Sequence, residues 1–247
     1  MLINCLYAGQ HELSHWTVFR ARAANDALGH LFGFATLNPF LTDRWLHFAH
    51  HRATHDLERD PELMGVGDYT LAGWALDLSG AGFWARRVAS IARAAAGLGL
   101  GDAWWLGAHQ RRVVVLEARI HMALWAAIGL ASWAAHSAAA LTFWLAPMLV
   151  TKWAHQLQNI GEHSGRPHAA DILVNTRTLA APAPFRALVW NMGYHTAHHC
   201  YPGVPFHALP ALDAEIRSVR SVPTFGYFTA QREIVAGLLA GRRRAAA

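Results

Sequence analysis

Cysteine is nearly absent from the sequence: Cys5 and Cys200 are the only two in 247 residues. Two thiols exclude a disulfide framework and any metal cluster held by four cysteines. Charge is scarce as well. Asp, Glu, Lys and Arg make up 15% of the chain against 53% hydrophobic residues, where an ordinary soluble domain is about one quarter charged. No haem-attachment motif occurs. The glycines of Gly97-Leu98-Gly99-Leu100-Gly101 lack the G-x-G-x-x-G spacing and a preceding strand, which argues against a nucleotide site. Met1–Gln10 has no basic region followed by an apolar core and does not read as a signal peptide. Internal repeats and low-complexity linkers are missing too, so one domain over 1–247 is expected.

Tryptophan and histidine are what the chain has in excess. Eleven tryptophans suit a chain that meets lipid, because the indole favours the membrane–water interface. A mean hydropathy of +0.15 is modest, so part of the chain is expected outside the hydrocarbon. The formal charge is +5, and the basic residues flank apolar stretches (Arg86, Arg87, Arg111, Arg112, Lys152) or gather in the tail (Arg242, Arg243, Arg244). That placement holds membrane segments at the cytoplasmic side. A nucleic-acid surface would interleave basic and aromatic groups, so no nucleic-acid partner is expected.

The longest uncharged run, Ile120 to Thr151, exceeds the ~20 apolar residues that one span needs. With Val113–Leu116 drawn in and Gly129 and Ser132 offering a turn, it reads as a helical hairpin, 112–131 and 134–154. One span plus a core helix is the alternative. Ala27–Leu41 is apolar but broken by His30, Gly33 and Asn38-Pro39, which suits a re-entrant or interfacial segment. Tyr69–Leu100 reads as an amphipathic helix pair on a membrane surface, and 240–247 as a disordered tail.

Seventeen histidines outnumber the sixteen Asp and Glu. Four boxes stand out: His11-Glu12-Leu13-Ser14-His15, His47-Phe48-Ala49-His50-His51, Asn159-Ile160-Gly161-Glu162-His163 and His195-Thr196-Ala197-His198-His199. On a helix, residues at i, i+3 and i+4 lie on one face, where side chains a turn apart can converge on the same ion. Neutral imidazole is the commonest metal ligand and suits Fe, Zn, Cu and Ni. A lone histidine on an apolar face is more often a hydrogen-bonded core residue. Two triplets of identical spacing, with two further paired sites, point instead to metal. Nine histidines exceed the needs of one ion, so two metals are expected. Asn159, four residues before His163, can join through a bound water. His55, one turn beyond His51, could be a tenth ligand but better fits a supporting place behind the ligands. His30, His109, His121, His136, His155, His168 and His207 lack a partner set.

The boxes and their surroundings resemble the membrane fatty acid desaturase superfamily, most of all its bacterial acyl-lipid and sphingolipid-type members. The resemblance runs from about residue 8 to residue 216. Phe19-Arg20-Ala21-Arg22 with Asn25 follows the first box, and Arg52, Thr54 and Asp60-Pro61-Glu62 extend the second. Thr176-Arg177-Thr178 and Trp190-Asn191 precede the last box, while Tyr201-Pro202-Gly203-Val204-Pro205-Phe206 and Leu209-Pro210 come after it.

The resemblance implies an all-α integral membrane protein whose cytoplasmic-face helical cap carries the histidine boxes, set in a bacterial inner membrane. It implies two Fe ions held by His11, His15, His47, His50, His51, His163, His195, His198 and His199, with Asn159 reaching one iron through water. Glu12, His55, Asp60 and Arg177 are candidates for supporting contacts behind these ligands. O2 is the implied co-substrate and a fatty acyl or related lipid chain the implied substrate. Desaturation is favoured; hydroxylation and carotenoid ketolation belong to the same superfamily, and the sequence does not separate them. Two electrons per turnover must come from outside a chain with no haem, iron–sulfur or nucleotide motif. A separate ferredoxin-like or cytochrome-like donor with its reductase is therefore expected. One departure stands out. Family members carry a membrane helical hairpin before the first box, whereas His11 lies ten residues from Met1. Met1–Gln10 looks like the last turns of that hairpin's second helix, so the expectation is a start lying upstream or a shortened membrane anchor.

Two rivals come from other classes. His11-Glu12-x-x-His15 is also the H-E-x-x-H motif of zinc metalloproteases, with Glu12 as general base. That reading leaves seven boxed histidines unexplained and predicts one zinc per chain. A histidine-rich metal transporter or sensor needs ionisable groups inside its spans, and His121 with His136 makes a poor pathway.

Overall fold

The computed structural model describes residues 2–64, 69–98, 100 and 103–245, the last four by backbone alone. The glycine-rich stretch lies partly outside the described residues, at Gly99 and Gly101, as do the last two residues of the expected tail. The chain is mostly helical. Helices α1 (Leu2–Ser14), α2 (Arg22–Ala35) and α3 (Phe40–Ala53) come first, then the short pair α4 (Leu71–Leu78) and α5 (Ala81–Ala95) and the long α6 (Ala108–Ala134). A π-helical turn, Leu141–Leu145, leads into α7 (Ala146–Val150) and α8 (Lys152–His163). The rest is α9 (Ile172–Asn175), β1 (Leu179–Ala180), α10 (Ala183–Leu188), α11 (His195–Cys200), α12 (Leu209–Ile216), β2 (Phe225–Gly226) and α13 (Tyr227–Ala245). β1 and β2 pair in parallel, Leu179 opposite Phe225.

Small residues bring the first three helices close. A Cβ at Gly9 of α1 would stand 2.7 Å from the Phe32 ring of α2, and one at Gly29 would overlap the ring of Phe40, the first residue of α3. The segment 27–41, expected to be re-entrant or interfacial, is thus the second half of α2, a turn and the start of α3. Asn38 closes that turn by donating its N–H to Gly33 O at 2.7 Å. The start of α3 is held from a distance. Glu117 of α6 accepts the N–H groups of Leu41 and Thr42 at 2.9 Å each and the Thr42 hydroxyl at 2.8 Å. Orphan donors at a helix N-terminus are thereby satisfied by a carboxylate from another helix.

Among the described residues α6 alone is long and apolar enough to cross a membrane, and only 22% of that stretch is buried. The apolar surface runs to the end of α6 and beyond it: Trp133 is 77% exposed, Phe143 78% and Val150 72%. The expected hairpin is present in outline. Phe34 stacks on both Trp125 of the first arm and Trp144 of the second, at 6.3 and 5.7 Å between ring centres. The second arm, expected as one helix over 134–154, is broken instead. Pro147 has no N–H to continue the ladder, and just before it the Ala146 N–H reaches back five residues to Leu141 O. At Thr151 the helix stops: its hydroxyl donates to Pro147 O at 2.7 Å, and Asn4 of α1 donates to Met148 O and to that hydroxyl oxygen at 2.9 Å each. Residues 240–245, expected as part of a disordered tail, continue α13 to Ala245; alanine and arginine are both strong helix formers.

Candidate metal centre

The boxes lie on α1, with His15 one residue beyond its end, and on α3, α8 and α11, which together bring nine histidines close. They divide into two groups whose nitrogens can each hold a metal ion: His11, His15, His47, His51 and His198 in one, and His50, His163, His195 and His199 in the other. Helix geometry explains the division. Each residue advances about 100° around the axis, so His47 and His51 point within roughly 40° of each other while His50 is turned about 100° from His51. The i, i+4 pair therefore serves one group and the middle histidine the other. The last box repeats this in reverse: His195 and His199 join the four-histidine group and His198 crosses to the five.

The rings face one another through Nε2. His47 Nε2 stands 2.9 Å from His15 Nε2 and 2.8 Å from His51 Nε2, and His51 Nε2 is 3.1 Å from His198 Nε2. In the other group His195 Nε2 lies 3.0 Å from His163 Nε2 and 3.1 Å from His199 Nε2. Two nitrogens each about 2.1 Å from one ion at right angles would stand roughly 3 Å apart. The tautomers fit as well. His163 Nδ1 donates to Asn175 O at 3.3 Å. His199 Nδ1 faces Thr54 Oγ1 at 3.2 Å, and that hydroxyl already donates to His50 O at 2.9 Å. With the proton on Nδ1, Nε2 presents a lone pair. Buried lone pairs aimed at each other repel unless they share a cation, so the donor set fits metal.

Carboxylates stand behind the rings. His50 Nδ1 donates to both oxygens of Asp60 at 2.9 Å. Glu162 Oε1 lies 3.4 Å from His195 Nδ1, and Glu12 Oε1 lies 3.7 Å from His11 Nδ1 and 3.8 Å from His198 Nδ1. Glu12 is fixed there by the Thr17 hydroxyl at 3.1 Å and the Phe206 N–H at 3.2 Å. Burial pushes His11 down to about 4 and His15 down to about 3, and lowers His47, His51, His163, His195, His198 and His199 well below the usual range. These rings are held neutral near pH 7, the form that ligates. His50 is the exception: burial opposes its charge, but Glu62 and Asp60 outweigh it and raise His50 to about 9. Burial likewise raises Glu12 to about 7 and Glu162 to about 8.

The other expected residues sort themselves by contact. Asp60 and Glu12 stand directly behind ligand rings. His55 joins neither group: its N–H donates to Asp60 Oδ2 at 2.8 Å, its Nδ1 donates to Pro167 O at 3.0 Å, and its ring stacks on His168 at 4.6 Å. Arg177 touches no boxed histidine side chain. It donates to Gly161 O and Ser164 O at 3.2 and 2.6 Å and to Glu233 Oε2 at 2.9 Å, pinning the end of α8 beside His163. Asn159 lines a cavity of about 70 Å³ together with His50, His163, His195, Tyr7 and His155. Sequence reasoning missed Glu162 as a supporting group, although it adjoins His163 as Glu12 adjoins His11.

Fold and site together define a helical protein built around two adjacent, buried histidine clusters fit for metal. The family model described as Fatty acid desaturase matches residues 1–228, and the chain belongs to that family. The family consists of lipid-oxidising oxidoreductases and is known for a di-iron centre. A comparison with curated proteins gives no match.

Proposed function

We propose that the protein is an oxygen-dependent di-iron desaturase that introduces a double bond into a fatty acyl or related lipid chain. The observation that carries this reading is the division of nine box histidines into two adjoining groups, five and four. His11, His15, His47, His51 and His198 would hold one iron. His50, His163, His195 and His199 would hold the other, joined by Asn159 through water. When bound, the pair supplies O2 reduction and an oxidant able to remove hydrogen from an unactivated C–H bond. The overall change takes two hydrogens from the lipid and two electrons with two protons from a donor, and converts O2 to two waters.

The chain's own residues prepare the site for that chemistry. Burial keeps eight rings neutral, and His50 would release its Nε2 proton on binding metal. Asp60 orients the His50 ring from its Nδ1 side, as partners behind metal-bound histidines do, and Glu162 and Glu12 lie on the Nδ1 sides of His195, His11 and His198 at 3.4 to 3.8 Å. Glu12 stands behind its histidines rather than among their Nε2 atoms, which disfavours a metalloprotease base. The exposed apolar arms of 108–150 favour an integral membrane protein, and the basic residues near Arg112 favour a site facing the cytoplasm, here of a bacterial inner membrane. The two electrons would come from a separate ferredoxin-like or cytochrome-like donor and its reductase.

Elemental analysis of detergent-purified protein, expressed with added iron, tests the reading. Two irons per chain are expected, lost together in His50→Ala or His198→Ala, and with them a new double bond in the lipid fraction of cells making the native chain. One zinc per chain would overturn the di-iron site, and a hydroxylated or keto product would overturn desaturation alone.

A further inference from the structure

Outside the histidine site, an open groove of about 600 Å³ lies between the loop after α5 and the first turns of α6. Leu98, Leu100, Arg112, Val115, Leu116 and Arg119 line it, and none of the described residues around it is acidic. Arg111 builds the wall rather than the binding surface: its guanidinium donates to Leu106 O at 3.1 Å, to Ala103 O at 2.9 Å and to Leu100 O. Arg119 engages only Nε, on Ala95 O at 2.8 Å. Arg112 is exposed and makes no ion pair among the described residues.

The stripe of α6 that begins at Arg112 gives the groove its chemistry. Arg112, Leu116, Ile120 and Leu124 succeed one another at i+4 intervals, so they share one side of the helix. Leu116 is 57% exposed, and Ile120 and Leu124 are 48% each. A cation at the head of an open apolar ridge is the complement of an anionic amphiphile. Arg112 and Arg119 are about 10 Å apart along the axis and, seven residues apart, lie on one side of it.

We propose that this groove binds an anionic phospholipid, its phosphate between Arg112 and Arg119 and an acyl chain along Leu116, Ile120 and Leu124. The site rests on the membrane reading and is separate from the metal centre. The full chain in neutral detergent is titrated with phosphatidylglycerol, phosphatidylcholine and soluble glycerol 3-phosphate, and retained adducts are counted by native mass spectrometry. Phosphatidylglycerol is expected to be retained on the order of tenfold more tightly than phosphatidylcholine. Arg112→Gln with Arg119→Gln should erase the preference, and Arg112→Lys with Arg119→Lys should keep most of it. Equal retention of the two lipids, or a preference untouched by the Gln pair, overturns the proposal. Displacement of the lipid by glycerol 3-phosphate at similar concentration overturns the lipid as ligand in favour of a soluble phosphate. Iron content and detergent dependence of the same samples report on the main reading independently: a chain that stays soluble without detergent would sink the membrane reading, whatever the lipid result.

Discussion

At the scale of single residues, Asp60 decides the state of His50. Both carboxylate oxygens lie 2.9 Å from His50 Nδ1 and one also receives the His55 N–H, so Asp60 fixes which nitrogen of His50 is bare. Asp60→Asn presents an amide that can offer N–H where the ring also offers one. Iron affinity should fall roughly 10- to 100-fold, the usual cost of losing such a partner, measured by competition with a chelator of known affinity. The nine histidines themselves were legible because i, i+3 and i+4 spacing needs only a helix. Their partition was not, because it depends on which way each helix faces. Glu162 escaped notice for the same reason: a carboxylate beside a ligand in sequence touches a different ligand, His195, in space.

The same residues set a pH dependence for metal-free protein. An ordinary histidine titrates near 6.5, while His11 sits at about 4 and His15 at about 3. Between those values the unfolded chain binds more protons, so their contribution is full above about pH 6.5 and is lost as pH falls toward 4. His50, raised to about 9, works oppositely: its contribution is full below about 6.5 and is lost as pH rises through 9. Glu12 at about 7 and Glu162 at about 8 also lose stability as pH climbs past the unfolded carboxylate range. The thermal midpoint of chelator-treated protein should therefore peak near pH 6 to 7 and fall on both sides. A midpoint that keeps rising from neutral pH to about 9 would show that these groups do not titrate as their surroundings dictate.

At the scale of elements, α3 depends on α6 for its start. The helix bearing His47, His50 and His51 begins at Phe40, and its first free N–H groups are satisfied by Glu117, more than seventy residues away in sequence. Glu117→Ala leaves two backbone donors and a hydroxyl short of a charged partner in a buried place. The expected loss is about 3 kcal/mol, with Glu117→Gln intermediate, read as a lower unfolding midpoint and lower iron retention. An unchanged midpoint in the Ala variant would mean water replaces the carboxylate without cost. Helix α6 was legible from its apolar length alone. The break after it was not: the effect of Pro147 was foreseeable, but the stop at Thr151 depends on Asn4 arriving from α1.

For the whole molecule, the question is how deep the hairpin reaches. Trp125 and Trp144 meet the same ring, Phe34, and each lies a few helical turns from the chain reversal at Ala135–Ser137, so the two arms descend side by side. From Arg119 to the end of α6 at Ala134 is 15 residues, about 23 Å of helix, which with the turn that follows approaches the ~30 Å hydrocarbon thickness. If Arg119 sits among the headgroups on the side of the histidine clusters, the turn emerges at the opposite surface. A Ser137→Cys variant, in a chain with Cys5→Ser and Cys200→Ser, should then react with a membrane-impermeant thiol reagent only from the side opposite the clusters. Labelling from the cluster side would place the turn outside the bilayer altogether. Protection from both sides would mean that the hairpin dips into one leaflet and returns, in which case the exposed apolar arms anchor the protein without crossing.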